Sequence, residues 1–208
     1  MPKRSISEIM DGLSSYLDDF DQITRVAHSR YRGYSPADLL ELDVRAQASC
    51  TYAHMVAAAD RRFDGKSNVR PIEIRGLKVW LLEEPNVVIR LKKMDENGAS
   101  RRYPTKQAKA FDSGKELPNL PMPPLRLTVG YLLDSTGTQF QRSQVARPDG
   151  RSVSWCAAII AQEDREIGMP IWSDVTKQAR SLSNPFGRRQ IPLHPPQQVC
   201  REGSARAN

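Results

Sequence analysis

The sequence predicts an α+β fold in which an N-terminal helical pair packs on a mainly antiparallel sheet of about five strands. Two observations predict this class. Apolar residues recur at helical spacing over residues 1–64, and after Gly65 the pattern changes to short alternating segments separated by turn residues. Short connections favour antiparallel pairing of neighbouring strands, and the two helices then cover one face of the sheet.

The first helix is predicted to begin at Ser5, because Ser5 and Glu8 form a capping-box pattern. Apolar side chains then recur at helical spacing, and the pattern breaks at Arg30 to Gly33. These side chains are Ile6, Ile9, Met10, Leu13, Leu17, Phe20 and Ile23.

A second helix is predicted from Ser35, as the N-cap, to about Phe63, with Pro36 at the first helical position. Its expected buried face contains several small side chains, which permit close packing on the first helix or on the sheet. This face comprises Leu39, Leu40, Ala46, Cys50, Ala53, Val56 and Ala57.

Five strands are predicted after Gly65. They span Lys78 to Glu83, Asn86 to Lys93, Leu125 to Leu133, Thr138 to Arg147 and Ser152 to Ile159. Residues 134–137 and 148–150 join the last three strands and are strong turn signals. The connection between the second and third strands is long, and it is predicted to contain a short helix at Pro104 to Phe111.

Residues 1–182 are predicted to form a single α+β domain. It consists of the helical pair at 1–64, the sheet with its basic connection at 65–160, and a region at 161–182 with a short helix at Asp174 to Arg180. Residues 183–208 lack periodicity and contain many residues that break helices and strands, so they are predicted to be a disordered, flexible tail.

The composition favours a cytoplasmic protein without membrane contact. The sequence has no run of about eighteen apolar residues, and residues 1–10 have no apolar segment typical of a signal peptide. Cys50, Cys156 and Cys200 are far apart and odd in number, so they are expected to be reduced thiols.

The positive charge is concentrated in the central third of the chain. The formal net charge is +7, and residues 86–151 carry 12 Lys and Arg against 6 Asp and Glu. Residues 1–64 are slightly acidic, with 8 Lys and Arg against 10 Asp and Glu. This segregation indicates an anionic partner for one face, with solubility as the alternative explanation.

A site for phosphate or nucleic acid is predicted in the basic segment. On a strand, Arg90 and Lys92 share one face while Ile89 and Leu91 point to the core. A helix that begins near Pro104 would add free N–H groups and a positive dipole end. The candidate residues are Arg90, Lys92, Lys93, Arg101, Arg102, Thr105, Lys106, Gln107 and Arg126. In the alternative interpretation, these cations contact only water or neighbouring carboxylates.

The sequence has no recognisable catalytic motif. His28, His54 and His194 are far apart, and there is no metalloprotease, P-loop or dinucleotide-binding pattern. No catalytic residue, metal site or cofactor is therefore predicted, and whether the chain is an enzyme stays open. Helix-turn-helix, RNP and zinc-finger motifs are also missing from the sequence, so a nucleic acid would be bound through its backbone and without sequence preference.

Several segments occur in an order shared with a group of bacterial proteins. They are VIRLKK at Val88 to Lys93, PTKQAKAF at Pro104 to Phe111, LPNLP at Leu117 to Pro121, RLTVGYLLD at Arg126 to Asp134, and VARPDGRS continuing to Trp155. Over roughly residues 60–160 the chain thus resembles the toxin component of RosmerTA-type pairs. The resemblance implies a toxin in phage defence. It also implies a protein partner, an antitoxin with a helix-turn-helix domain and an ImmA/IrrE-type metallopeptidase domain, and it implies no catalytic residues.

Three functions are compatible with these observations. The first is a toxin that acts on a nucleotide or nucleic acid through a basic crevice and is neutralised by an antitoxin. The second is a non-enzymatic module that binds nucleic acid or regulates through the same cations. The third is a protein-interaction subunit that docks through the acidic helical pair.

Overall fold

The computed structural model describes residues 4–100, 105–118, 120, 124–167, 169 and 171–176. Four helices come first: α1 (Ile6–Gly12), α2 (Ser14–Arg32), α3 (Pro36–Glu41) and α4 (Val44–Phe63). The strands are β1 (Val69–Ile74), β2 (Leu77–Leu82), β3 (Val87–Lys93), β4 (Leu125–Leu133), β5 (Phe140–Asp149), β6 (Ser152–Ile159) and β7 (Trp172–Asp174). Helix α5 (Lys106–Asp112) lies between β3 and β4, and a 3-10 helix (Gln162–Asp164) lies between β6 and β7.

Both predicted helix starts are confirmed. The Ser5 hydroxyl accepts a hydrogen bond from Glu8 N at 3.2 Å, and the Glu8 carboxylate accepts one from Ser5 N at 2.7 Å. The Ser35 hydroxyl accepts a bond from Asp38 N at 3.1 Å, and Pro36 is the first helical residue. These caps satisfy N–H groups that have no partner within the helix, so they fix where each helix begins.

Each of the two predicted helices is interrupted once. Leu13 separates α1 from α2, and Leu42 and Asp43 separate α3 from α4. The Asp43 carboxylate accepts a hydrogen bond from Ala46 N at 2.7 Å and so caps a new helix. What was predicted as one helical pair is therefore two longer helices, α2 and α4, each preceded by a short one.

The predicted buried face of the second helix is only partly right: Val56 packs against the core, but none of the predicted residues is fully buried. The new start at Asp43 sets a different orientation for α4, which buries Thr51, Met55, Ala58, Ala59 and Phe63. Ala53 is exposed, and Leu40 on α3 is 87% exposed. A continuous helical repeat was assumed across a position where the chain changes direction, and the apolar residues before the break were therefore placed on the wrong face.

The α+β class is confirmed, whereas the prediction of about five antiparallel strands is only roughly right. The described strands form one seven-stranded sheet in the order β1 to β7, and β3 and β4 are parallel. All five predicted strands occur, but β1 and β7 were missed. Strand β1 contains Pro71 and charged residues that weaken its pattern, as is usual at a sheet edge. Strand β7 is only three residues long and ends at Asp174, where a helix was predicted to begin.

The parallel pair is a consequence of the long connection after β3. A chain that leaves the carboxyl end of one strand, forms a helix on one face and re-enters the sheet at the opposite end gives a parallel neighbour. The helix predicted at Pro104 to Phe111 is present as α5, and it provides this crossover. An antiparallel meander was expected because the other connections are short turns, but that rule does not apply across a helical crossover.

The two faces of the sheet are covered differently. Helices α1, α2 and α4 pack on one face, as predicted, where Trp80, Ile89 and Leu91 belong to the largest apolar cluster. Helix α5 covers part of the other face, and Phe111 packs there with Val88. Arg90 lies on the face of α5, since strand residues alternate between faces.

Buried carboxylates on α2 hold the helical layer in position. Asp19 accepts a hydrogen bond from Arg62 Nε at 2.7 Å and so joins α2 to the end of α4. Asp21, which is buried, accepts a bond from the Ser143 hydroxyl on β5 at 2.5 Å. The Thr24 and Ser143 hydroxyls are 2.7 Å apart and complete the network. Hydrogen-bonded polar groups of this kind specify one alignment between helix and sheet.

Several predictions fall on residues outside the described ranges. They concern Arg101 and Arg102 of the candidate site, residues 177–180 of the last helix, and the flexible tail at 183–208. Within the described ranges, no helix combines the length and the apolar character needed to cross a membrane.

Gly130 on β4 is expected to be essential for the parallel pair. It lies beside Lys92 of β3, and a Cβ at this position would be 1.8 Å from the Lys92 carbonyl oxygen. We predict that Gly130→Ala lowers the free energy of unfolding by about 3 kcal/mol, because main-chain atoms must move. Gly12→Ala is the matched control, since its Cβ would approach nothing nearer than 3.4 Å. Urea unfolding followed by circular dichroism measures both, and equal stability of the two variants contradicts the prediction.

Candidate anion site at the carboxyl ends of the parallel strands

A cleft of about 470 Å³ lies at the carboxyl ends of β3 and β4. Both strands of the parallel pair end here, and the chain leaves β3 towards α5 and β4 towards β5. The walls come from the end of β3, from the turn after β4 and from the first turns of α4. They comprise Lys93 to Asn97, Leu132 to Gly137, Val44 and Gln47. We refer to this cavity as the carboxyl-end cleft.

Asp134 organises the turn that forms one wall of the carboxyl-end cleft. Its carboxylate accepts hydrogen bonds from the Thr136 hydroxyl at 2.5 Å and from Thr138 N and Gln139 N at 2.8 and 3.0 Å. These bonds, the one from Thr136 above all, lower the pKa of Asp134 to about 2. The carboxylate is therefore part of the wall and is charged throughout the physiological range.

Asp95 has the same role in the opposite wall. One oxygen of its carboxylate accepts hydrogen bonds from Asn97 N and Ala99 N, both at 2.9 Å. The Asp95 carbonyl accepts a further bond from the Gln144 amide at 2.8 Å. The two acidic groups thus fix the loops around the cleft, so it has a defined shape.

Lys93 lines the cleft, and His28 lies close to the same region. The imidazole packs against Phe140 and Tyr131 with ring centroids 5.7 and 6.3 Å apart. Its Nε2 donates to the Thr138 carbonyl at 3.2 Å. Burial is the main cause that lowers the pKa of His28, and the charges of Arg32 and Lys93 add to it. The sequence gives no sign of this placement, since His28 is far from the basic segment along the chain.

Arg90 is buried and does not line the cleft. Its side chain is only 3% exposed and forms an ion pair with Asp112 at 2.5 Å. It also donates from Nε to the Thr128 hydroxyl at 3.0 Å, and its guanidinium lies 4.7 Å from the centre of the Phe111 ring. Arg90 therefore attaches α5 to the sheet, and its charge is balanced by Asp112.

Arg126 also holds α5, at the C-terminal end of the helix. Its guanidinium donates to the carbonyls of Ala110 and Lys115 at 2.8 and 2.6 Å, and it lies 5.7 Å from the Phe111 ring centre. The last carbonyls of a helix have no partner within it, and a cation near them is favourable. Arg90 and Arg126 together attach both Phe111 and the end of α5 to the sheet.

Lys92 is a cation without a carboxylate partner among the described residues. It is half-buried, and its ammonium lies 5.2 Å from the centre of the Tyr52 ring on α4. Burial lowers the pKa of Lys92, the charge of Arg90 lowers it further, and Asp112 acts in the opposite direction. Within the described part of the sheet, β2 pairs with β3 only from Val87 to Ile89, so Lys92 lies beyond their paired region.

The remaining predicted residues lie at the start of α5. The Thr105 hydroxyl accepts a hydrogen bond from Ala108 N at 3.1 Å and caps the helix, as a residue of this type does at an N-cap. Lys106 is exposed and Gln107 is half-buried. These three residues therefore lie together at the N-terminus of α5, a helix of seven residues.

The structure divides the predicted set into separate groups. Arg126 is aligned with Val88, whereas Lys92 is aligned with Gly130, four residues further along the parallel pair and about 13 Å away. Lys92 and Lys93 leave β3 on opposite faces, but the Lys92 ammonium reaches Tyr52 on α4, in the helical layer on the face of Lys93. The described residues of the predicted set therefore do not share one crevice: two arginines hold α5, residues 105–107 begin that helix, and the two lysines lie at the carboxyl end of β3.

No protein-family model, curated protein or solved structure matches the chain. Among the residues that the structure describes, no group of three or more His, Cys, Asp or Glu side chains is placed to hold a metal ion.

The pair of Arg90 and Asp112 is expected to be strongly coupled. We predict that Arg90→Met lowers the free energy of unfolding by about 3 kcal/mol, because it leaves the Asp112 carboxylate without its counter-charge. The double variant Arg90→Met/Asp112→Ala should lose less than the sum of the two single losses. Lys109→Ala, on the exposed side of α5, serves as the surface control. Additive losses in urea unfolding contradict the assignment.

The low pKa of Asp134 predicts a specific pH dependence. A carboxylate with a lowered pKa stabilises the fold above its unfolded pKa of about 4, and this stabilisation is lost as the pH falls towards 2. Titration of the side-chain carboxyl carbon by NMR should give a midpoint near 2. The amide signals of Thr138 and Gln139 should move with the same midpoint, and they should not do so in Asp134→Asn. A midpoint near 4 contradicts the described turn.

Proposed function

We propose that this chain binds a nucleotide, or the phosphate backbone of a nucleic acid, at the carboxyl end of β3 and acts as the toxin of a bacterial toxin–antitoxin pair in phage defence. The observation that carries the binding proposal is Lys92, a half-buried cation with no carboxylate partner among the described residues. The toxin proposal rests on the resemblance over residues 60–160. The proposed protein partner is the corresponding antitoxin, and the proposed location is the cytoplasm.

The charges around Lys92 favour an anionic ligand. A cation that is partly removed from water is stabilised only when a counter-charge or hydrogen bonds replace the lost hydration. Among the described residues, the carboxylate whose charge acts on Lys92 is Asp112, and it is already paired with Arg90. A phosphate group would supply the missing negative charge, and it would raise the pKa of Lys92, which burial and Arg90 now lower.

The surroundings of Lys92 suit a ligand larger than a single phosphate. Lys93 adds a second cation at the end of β3 and lines the carboxyl-end cleft, whose volume of about 470 Å³ is in the range of ligand pockets. The cleft walls also carry the carboxylates of Asp95, Glu96 and Asp134, so the proposed phosphate lies at the lysines and the cleft would receive the uncharged part of the ligand. An extended anion that crosses the end of β3 would contact both lysines. Tyr52 holds the Lys92 ammonium in place through a cation–π contact, which reduces the freedom that binding would otherwise restrict.

Lys92→Ala is the central test of this proposal. With inducible expression in a bacterial host and without the neighbouring gene, the wild-type chain should arrest growth and the variant should not. Binding of a fluorescent single-stranded oligonucleotide should weaken at least tenfold, and the dependence of affinity on salt should become less steep by about one phosphate contact. The thermal midpoint should change little, because Lys92 forms no ion pair with a described residue. Lys109→Ala is the matched control, an exposed lysine on α5.

The possible outcomes separate the two halves of the proposal. Normal growth at confirmed expression of the wild-type chain removes the toxin assignment. Binding without growth arrest favours the alternative, a non-enzymatic module that binds nucleic acid. Affinity that does not depend on salt, or that is unchanged in Lys92→Ala, removes Lys92 as a phosphate contact. A large loss of stability in Lys92→Ala would identify this lysine as structural.

A further inference from the structure

An exposed apolar surface lies on α3 and the first residue of α4. Leu40 is 87% exposed and Val44 is 75% exposed, and α3 has no buried residue. Pro36 is also exposed, and Leu39 is half-buried. We call residues 36–44 the α3 patch. Single exposed apolar side chains are common, but two large ones within five residues on the same short segment form a surface suited to a protein contact.

The α3 patch has an acidic rim. Asp38, Glu41 and Asp43 are all exposed, and no Lys, Arg or His lies between Arg32 and Arg45. Asp38 and Asp43 are held in fixed positions by the hydrogen bonds that cap α3 and α4. Apolar side chains surrounded by ordered carboxylates are complementary to a surface that combines apolar residues with lysine or arginine.

A groove beside the patch can receive an apolar side chain. It has a volume of about 380 Å³ and lies between α3 and the turn that follows β4. Leu39, Leu40 and Tyr31 contribute apolar walls, and Arg32 also lines the groove, so the carboxylates that would pair with a basic partner lie on the α3 side. Gln47 and Gly137 line both this groove and the carboxyl-end cleft. The two cavities are therefore neighbours, and a molecule in the groove lies next to the proposed ligand site.

We propose that the α3 patch is the docking surface for a protein partner that presents a basic amphipathic helix, and that this partner extends over the carboxyl-end cleft. The apolar face of the helix enters the groove against Leu39 and Leu40, and its cations pair with Asp38, Glu41 and Asp43. A second copy of this chain would bring like charges together, and the carboxylates repel nucleic acid. Docking itself is independent of the proposed function, whereas the regulatory consequence, exclusion of ligand from the cleft, rests on it.

Synthetic peptides test the chemistry of the partner directly. Two helical peptides of about twenty residues share one leucine face, and that face is flanked by arginine in one peptide and by glutamate in the other. Fluorescence anisotropy with the full-length chain should show at least tenfold tighter binding of the arginine peptide. The variant Leu40→Glu/Val44→Glu should lose this binding. Ile167→Glu, which changes another exposed apolar residue in the connection before β7, should keep it.

The same experiment can overturn the proposal. Equal binding of both peptides, no binding of either, or binding that survives Leu40→Glu/Val44→Glu removes the α3 patch as a site for a basic helix. A wild-type dimer in light scattering that dissociates in this variant assigns the surface to a second copy instead. Hydrogen exchange should also slow at residues 135–138 when the arginine peptide is bound. Protection confined to α3 would contradict the proposal that the partner extends over the carboxyl-end cleft. None of these outcomes depends on growth arrest.

Discussion

The buried ion pair between Arg90 and Asp112 is the contact on which the arrangement of the site depends. It ties the end of α5 to β3, and Arg126 strengthens the attachment through the last carbonyls of the helix. Because α5 forms the crossover from β3 to β4, this attachment holds the helix against the parallel pair. The parallel pair, in turn, creates an edge at which two strand ends and their loops leave the sheet together.

The same ion pair determines the electrostatics of the neighbouring position. Arg90 and Lys92 share a face of β3, and the single nearby carboxylate is committed to Arg90. Lys92 therefore keeps a charge that the described part of the protein does not balance. The structural cation, Arg90, and the proposed ligand-binding cation, Lys92, are two residues apart on one strand. Arg90 is buried and forms an ion pair with Asp112, whereas Lys92 is half-buried and forms no ion pair with a described residue. The acidic α3 patch lies beyond the cleft, whose own walls carry Asp95, Glu96 and Asp134 beside Lys93.

Local signals in the sequence predicted local structure well. Ser5 and Ser35 start helices because their hydroxyls act within three residues, and five strands follow from alternation and turns. The parallel pairing and the buried face of α4 were missed because they depend on the path of the crossover and on the new helix start at Asp43.

At the site, alternation placed Arg90 and Lys92 on one face. Which of them is neutralised depends on Asp112, 22 residues from Arg90 in the chain, and the position of Tyr52 depends on tertiary packing.

The edge strand β1 has a further consequence for how molecules of this protein behave towards one another. An open sheet edge offers unpaired main-chain groups to which a strand from another chain can add, which is how ordered aggregates grow. In β1, Pro71 has no N–H to donate, and Arg70 and Glu73 are exposed charges beside it. The proline and the charged residues that weaken the strand pattern of β1 in the sequence thus also make it a poor template for intermolecular β-pairing.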